Sequence, residues 1–175
     1  MHIRLCQYEQ DAAAILAIFN HAILNTTALY EYQPRTMTTM QQWFANKAAA
    51  GFPVFGLFES ESPESLVAFG SYGTFRAFPA FKYSVEHSVY VHQEHQGKGL
   101  GQQMLQLLIE AAQTQGYHLL IGGIDANNSG SIALHSKLGF VHSGTITQAG
   151  FKFGRWLDLA FYQLTLATPL QPHDD

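Results

Sequence analysis

SVEHSVYVHQEHQGKGLG, Ser84 to Gly101, joins a strand, a glycine-rich turn and the start of a helix. Glu86, Ser88 and Tyr90 alternate with Val85, His87, Val89 and Val91, so a strand here has two different faces. Gly97, Gly99 and Gly101 then give up three side chains at alternate positions, and LGQQMLQLLIEAAQTQ follows with Leu100, Met104, Leu105, Leu108, Ala111 and Ala112 on one helical stripe. Glycine costs backbone entropy and leaves nothing to pack, so the cluster points to something that approaches the backbone closely.

Phosphate is the first candidate. A P-loop needs Gly-Lys followed by Ser or Thr, but Lys98 is followed by Gly99. A dinucleotide fingerprint needs G-x-G-x-x-G near the first strand, and Gln102 stands where its third glycine belongs. Two readings survive: a nest of backbone N–H groups at a helix N-terminus, which binds an anion without net positive charge, or a plain turn between strand and helix.

The rest of the chain sets limits. At 175 residues, 47% hydrophobic and 13% charged, it reads as one globular domain with a full core. No apolar run is long enough to span a membrane, and MHIRLCQYEQD lacks the features of a signal peptide. A soluble, cytoplasmic protein is expected, and the single cysteine, Cys6, suits a reducing compartment as a strand residue rather than a nucleophile. A net charge of −4 offers no field to gather nucleic acid.

Hydrophobic periods of two and of about 3.6 alternate along the chain. Strands are expected at 2–8, 54–58, 66–72, 84–92 and 117–125, around 141–146, and over 156–166. Helices are expected over 11–24, 38–50, 100–115 and 131–138, with Gly51 and Gly116 as stops. The polar turn ESESPES makes a hairpin of the second and third strands, TFRAFPAFKY is an aromatic loop, and 167–175 is a frayed tail. The order β-α-α-β-β-β-α-β-α-β-β defines an α+β fold with a mixed, mostly antiparallel twisted sheet flanked by helices.

Gln96, Gly99 and Gly101 match the Q/R-x-x-G-x-G/A pattern of the GNAT acetyltransferases, and about thirty residues on, Asn128 and IALHSKLGF (132–140) resemble that family's asparagine and its helix ending in Leu-Gly-Phe. SVEHSVYVHQEHQGKGLG, LHSKLGF and GFKFGRWLDLAFYQL further resemble the phosphinothricin and methionine sulfone or sulfoximine N-acetyltransferases, over nearly the whole chain.

The resemblance implies acetyl-CoA as donor. Its pyrophosphate would lie on the amides of Gly97, Lys98, Gly99, Leu100, Gly101 and Gln102, with Lys98 a rim contact. The pantetheine arm would pair like an added strand with Val89, Tyr90 and Val91, the Val89 amide meeting the oxyanion, while Asn128 would contact the arm or the start of the last helix. Glu86 matches the branch's base, since a protonated amine has no lone pair with which to attack. His135 stands where many members place a tyrosine near the departing thiolate, as acid, substrate contact or both.

Substrate choice falls to the aromatic loop. Arg76 is placed to hold a carboxylate, with Phe75, Phe78, Pro79, Ala80 and Phe81 as walls. At Phe78 the phosphinothricin enzymes carry a basic residue, so this loop looks closer to the methionine sulfone and sulfoximine enzymes. His87, His92 and His95 form no set of metal ligands in the sequence, and the resemblance implies no metal. The expectation is a detoxifying or metabolic amino acid N-acetyltransferase, a homodimer by resemblance. A protein or peptide acetyltransferase and a non-enzymatic acyl-CoA sensor are the alternatives.

Overall fold

The computed structural model describes residues 1–174. Its elements are β1 (His2–Leu5), α1 (Tyr8–Asn25), α2 (Met37–Ala49), β2 (Val54–Phe58), β3 (Leu66–Thr74), β4 (Ser84–Val91), α3 (Leu100–Thr114), β5 (Leu119–Asp125), α4 (Ser129–Lys137), β6 (Val141–Lys152) and β7 (Arg155–Thr165). Single 3₁₀ turns stand at Pro63–Ser65, Pro79–Phe81 and Gln93–His95. The element order is the expected one. The strands form a mixed sheet in the order β1-β2-β3-β4-β5-β7-β6, with β4 and β5 parallel.

The chain divides into two compact units, Met1–Ser71 with Ser88–Leu105, and Tyr72–His87 with Gln106 onward, where the sequence suggests one domain. The boundaries fall inside β3, β4 and α3, so no linker or shift in composition marks them.

In the first unit the stripe Ile15, Ile18, Phe19 and Ala22 of α1 is buried against Met40 and Phe44 of α2 and against Val54, Phe58, Leu66, Phe69 and Tyr90 from the strands. Phe19 meets Phe69 and Tyr90 edge-on, at 4.8 and 5.0 Å between ring centroids. β1 stops at Leu5 rather than running to Tyr8, because Asp11 organises a helix start there. The fully buried Asp11 carboxylate accepts two bonds from the Arg4 guanidinium, at 2.8 and 2.7 Å, and one from the Gln7 N–H at 2.8 Å. A buried carboxylate is tolerable only when so satisfied. Cys6 is half-buried beside this core, and desolvation pushes its thiol up to about 12, which removes it as a nucleophile at neutral pH. α2 opens with a capping box in which Thr36 and Thr39 bond each other's backbone N–H.

In the second unit β5 is the organising strand. It pairs in parallel with β4 through Ser84↔Leu119, Val85↔Leu120 and Glu86↔Ile121, and antiparallel with β7 over its whole length. β6 runs to Lys152, well past the expected strand around 141–146, because register shifts at His142/Gly144 and Ile146/Gly150 break its alternation and disguise it. The residues expected to fray are held: Thr168 donates its hydroxyl to the Tyr117 carbonyl, His118 Nδ1–H donates to the Thr168 carbonyl at 2.9 Å, and the His173 N–H reaches the Tyr83 hydroxyl at 3.2 Å. Asp175 lies outside the described residues. Among those described, no helix is long and apolar enough to cross a membrane.

Candidate active site

The phosphate-type loop lies in the first unit. Gly97 and Gly99 have φ of +75° and +81°, and beyond their chain neighbours no heavy atom of the described residues lies within 4 Å of a Cβ built on either, so the backbone there faces open space. The Gly99 carbonyl accepts the Gln103 N–H at 3.1 Å, which starts α3, and buried Leu100 roots that helix in the core. Gly101 and Gln102 fall in its first turn. Lys98 is exposed, with its ammonium 3.5 Å from His95 Nδ1. Upstream, Val89 and Val91 are half-buried while the Tyr90 ring is committed to the core, stacked on Phe69 at 5.2 Å, so Tyr90 has only its backbone to offer a ligand. His92, Glu94 and His95 bring ligand-type atoms within 4.8 Å of one another, but His95 Nδ1 already meets Glu59 at 3.3 Å and the Lys98 ammonium stands beside it.

The acid–base candidates lie in the second unit. Glu86 is half-buried, and desolvation pushes its carboxyl above the usual range against the pull of the Arg76 guanidinium. Its Oε1 occupies the space over Gly123: a Cβ there would stand 2.9 Å from Oε1 and 3.8 Å from Phe161. On β5 and β7, Leu119, Ile121, Phe161 and Gln163 line an open cleft of about 350 Å³ with Phe75, Ser143, Thr145 and Ile146. An apolar floor of Phe75, Leu119, Ile121 and Phe161 thus meets a polar rim at Ser143 and Gln163, whose side chains bond at 2.9 Å.

Of the expected substrate wall, Phe75 lines this cleft and Phe81 stacks edge-on to it at 6.0 Å. Arg76 lies over the Phe75 ring, 5.0 Å from its centroid. Phe78, Pro79 and Ala80 are exposed, Phe78 to 73%. The β5, β6 and β7 residues were illegible in sequence, since only long-range pairing brings them to Phe75.

His135 does not join Glu86. It faces the other side of the sheet, where it and His87 are 5% and 8% exposed, with nearly parallel rings and Nε2 atoms 3.1 Å apart. His135 Nδ1 lies 2.7 Å from the Ser131 carbonyl, which can only accept, so the hydrogen sits on Nδ1. Burial lowers the proton affinity of both rings, that of His87 to about 3. In the sequence His87 reads as a strand residue on the face opposite Glu86, with nothing that pairs it with His135. Asn128 caps α4, its side chain accepting from the Ser131 N–H at 3.0 Å.

Residues 17–140 match the acetyltransferase (GNAT) family. The chain is 47% identical to the L-methionine sulfoximine/L-methionine sulfone acetyltransferase of Pseudomonas aeruginosa, over 89% of this chain and 90% of that one. A phosphinothricin N-acetyltransferase of Alcaligenes faecalis is 32% identical, over 90% of this chain and 79% of its own. Among solved structures, an Acinetobacter baylyi ADP1 protein assigned as an acetyltransferase superposes with a TM-score of 0.96 at 54% identity, over 99% of this chain and 97% of that one. The yncA acetyltransferase of Salmonella typhimurium, solved with its cofactor acetyl-CoA, superposes with a TM-score of 0.91 at 42% identity, over 99% of this chain and 98% of that one.

Proposed function

Because the chain belongs to the acetyltransferase (GNAT) family, we propose that it moves the acetyl group of acetyl-CoA directly to the α-amino group of a small amino acid, of the methionine sulfone and sulfoximine type. The observation that carries this reading is the cleft with an apolar floor and a hydrogen-bonding rim at Ser143 and Gln163, together with the Glu86 carboxylate, which shares the space over Gly123 with the cleft residue Phe161 and is drawn by the Arg76 guanidinium. An amino acid with an apolar stem and a polar tip fills such a cleft, its own carboxylate drawn to Arg76. Phe78, which stands where phosphinothricin enzymes carry a basic residue, is exposed and is not among the residues lining the cleft.

The glycine turn suits a pyrophosphate, since two left-handed residues facing open space let N–H groups converge on an anion. Val89 to Val91 lie further along the strand that carries Glu86 and would pair with the pantetheine arm through their backbones. Glu86, directly or through water, takes a proton from the substrate ammonium, the freed amine attacks the thioester carbon, and the Val89 N–H meets the oxyanion. Collapse breaks the C–S bond, and the second proton given up by the nitrogen passes through solvent to the departing thiolate, which leaves as the CoA thiol.

Four large apolar side chains, Val141, Phe151, Phe153 and Trp156, are exposed on β6, β7 and their turn, which supports the homodimer reading. The single cysteine, Cys6, is free, which supports a reducing, cytoplasmic compartment.

The test follows CoA thiol release with methionine sulfone, methionine sulfoximine, phosphinothricin and a peptide panel. Release with the sulfone or sulfoximine is expected. Release with peptides alone overturns the substrate class, and acetyl-CoA binding with no release at all supports the sensor alternative.

A further inference from the structure

His87 has no part in the reaction described above, yet it is buried, conjoined to a site residue and left with one unpaired nitrogen. The hydrogens of the pair can be assigned by elimination. Ser131 takes the Nδ1 hydrogen of His135, so in the neutral ring Nε2 is a lone pair; the atom 3.1 Å away, His87 Nε2, must therefore donate. His87 Nδ1 is then a bare acceptor, and it is buried with no hydrogen-bond partner among the described residues.

The surroundings hold the rings in this state. Phe140 stands edge-on to both, 5.5 Å from His87 and 5.0 Å from His135, and the Tyr162 ring of β7 is 6.5 Å from His135. On the β5 side, a Cβ on Gly122 would lie 2.9 Å from His87 Nε2 and 3.0 Å from His135 Nε2, so the two rings use the space that this glycine leaves. Among the described residues neither ring has a carboxylate partner to stabilise an imidazolium. Desolvation likewise depresses the proton affinity of both.

We propose that His87 is a positioning residue for His135: its Nε2–H occupies the His135 Nε2 lone pair and, with Ser131, fixes that ring as the neutral Nδ1–H tautomer. To act as an acid through Nε2, His135 would need a second proton while His87 moved its own hydrogen to Nδ1, a buried atom with nothing to receive it. His135 therefore serves acetyl transfer as a fixed, uncharged contact and supplies no proton to the departing sulfur. The functional consequence rests on the acetyl-transfer reading; the tautomer does not.

Long-range ¹H–¹⁵N NMR of the ¹⁵N-histidine-labelled chain, from about pH 5 to about pH 8, reads the tautomers directly. The expected spectra show His135 protonated at Nδ1 alone, His87 at Nε2 alone, and neither titrating. Kinetics add a second arm. His87→Phe keeps a ring but loses the donor, and should lower kcat about fivefold with KM for acetyl-CoA within about twofold; His87→Gln, whose amide nitrogen can donate from nearly the same place, should recover most of the loss. A wild-type His135 protonated at Nε2, or titrating within that range, overturns the proposal, as do equal kcat values for the two variants. If no acceptor is acetylated, the reading of the reaction fails while the spectra still decide the pair.

Discussion

Glu86 and His87 are neighbours in the chain that point to opposite faces of β4, and each is seated by its own glycine of β5. Glu86 Oε1 lies 2.9 Å from where a Cβ would stand on Gly123, and His87 Nε2 lies 2.9 Å from where one would stand on Gly122. The two substitutions should therefore separate. In Gly123→Ala the new methyl meets the far end of a flexible side chain, so the carboxylate shifts: kcat/KM should fall about tenfold with Tm within about 2 °C of wild type. In Gly122→Ala it meets two packed rings that cannot give way, and Tm should fall by about 5 °C or more. Thermal unfolding and CoA release on both variants decide this, and equal Tm values would contradict the packing.

Glu86 itself should trade stability for activity. Its carboxyl is raised by desolvation, so the fold favours the protonated form: the site is at ease below the ordinary carboxylate range and strained once the group ionises above it. Glu86→Gln removes that strain. Its Tm should rise by about 2 °C at about pH 7.5 and stay unchanged near pH 4, while the rate at neutral pH drops by about a hundredfold. A lower Tm at neutral pH would show that the ionised carboxylate is a net stabiliser.

The element order was legible because each helix and most strands carry their own local period, as LGQQMLQLLIEAAQTQ does for α3, and because Gly51 and Gly116 sit at helix ends with φ of +71° and +80°. What stayed hidden was non-local. Asp11 read as an acidic residue at a helix start, with nothing to announce that Arg4 would bury it. The cleft residues Ile121, Ser143 and Phe161 meet only through the β5–β7 and β6–β7 registers. His87 and His135 are separated by 48 positions, so the alternation of β4 could assign His87 a face but not a partner.

The histidine pair should make the protein acid-sensitive. Both rings are depressed in the fold, so their contribution is complete above the ordinary histidine range near 6.5 and is lost as pH falls below it, when the unfolded chain takes up protons that the folded chain refuses. For His87, whose folded value is about 3, the loss is about 1.4 kcal/mol for each pH unit between about 6.5 and that value. Urea unfolding at about pH 7.5, 6.5 and 5.5 should show this slope in the wild type and a shallower one in His87→Phe. Parallel slopes would mean that His87 is charged in the folded protein.

Gly99 separates an anion nest from a plain turn. Its φ of +81° strains any other residue, but asparagine tolerates the left-handed region better than alanine, so stability should fall in the order glycine, asparagine, alanine. If the loop only turns the chain, Gly99→Asn should keep a normal KM for acetyl-CoA, because beyond its two chain neighbours no described residue places an atom within 4 Å of the added Cβ. If pyrophosphate occupies that open space, the asparagine side chain stands where the anion must lie, and KM for acetyl-CoA should rise about tenfold or more while KM for the acceptor is unchanged. Folding tolerance with loss of donor binding is the expected result, since the missing side chain at Gly99 leaves room that the protein's own atoms do not fill.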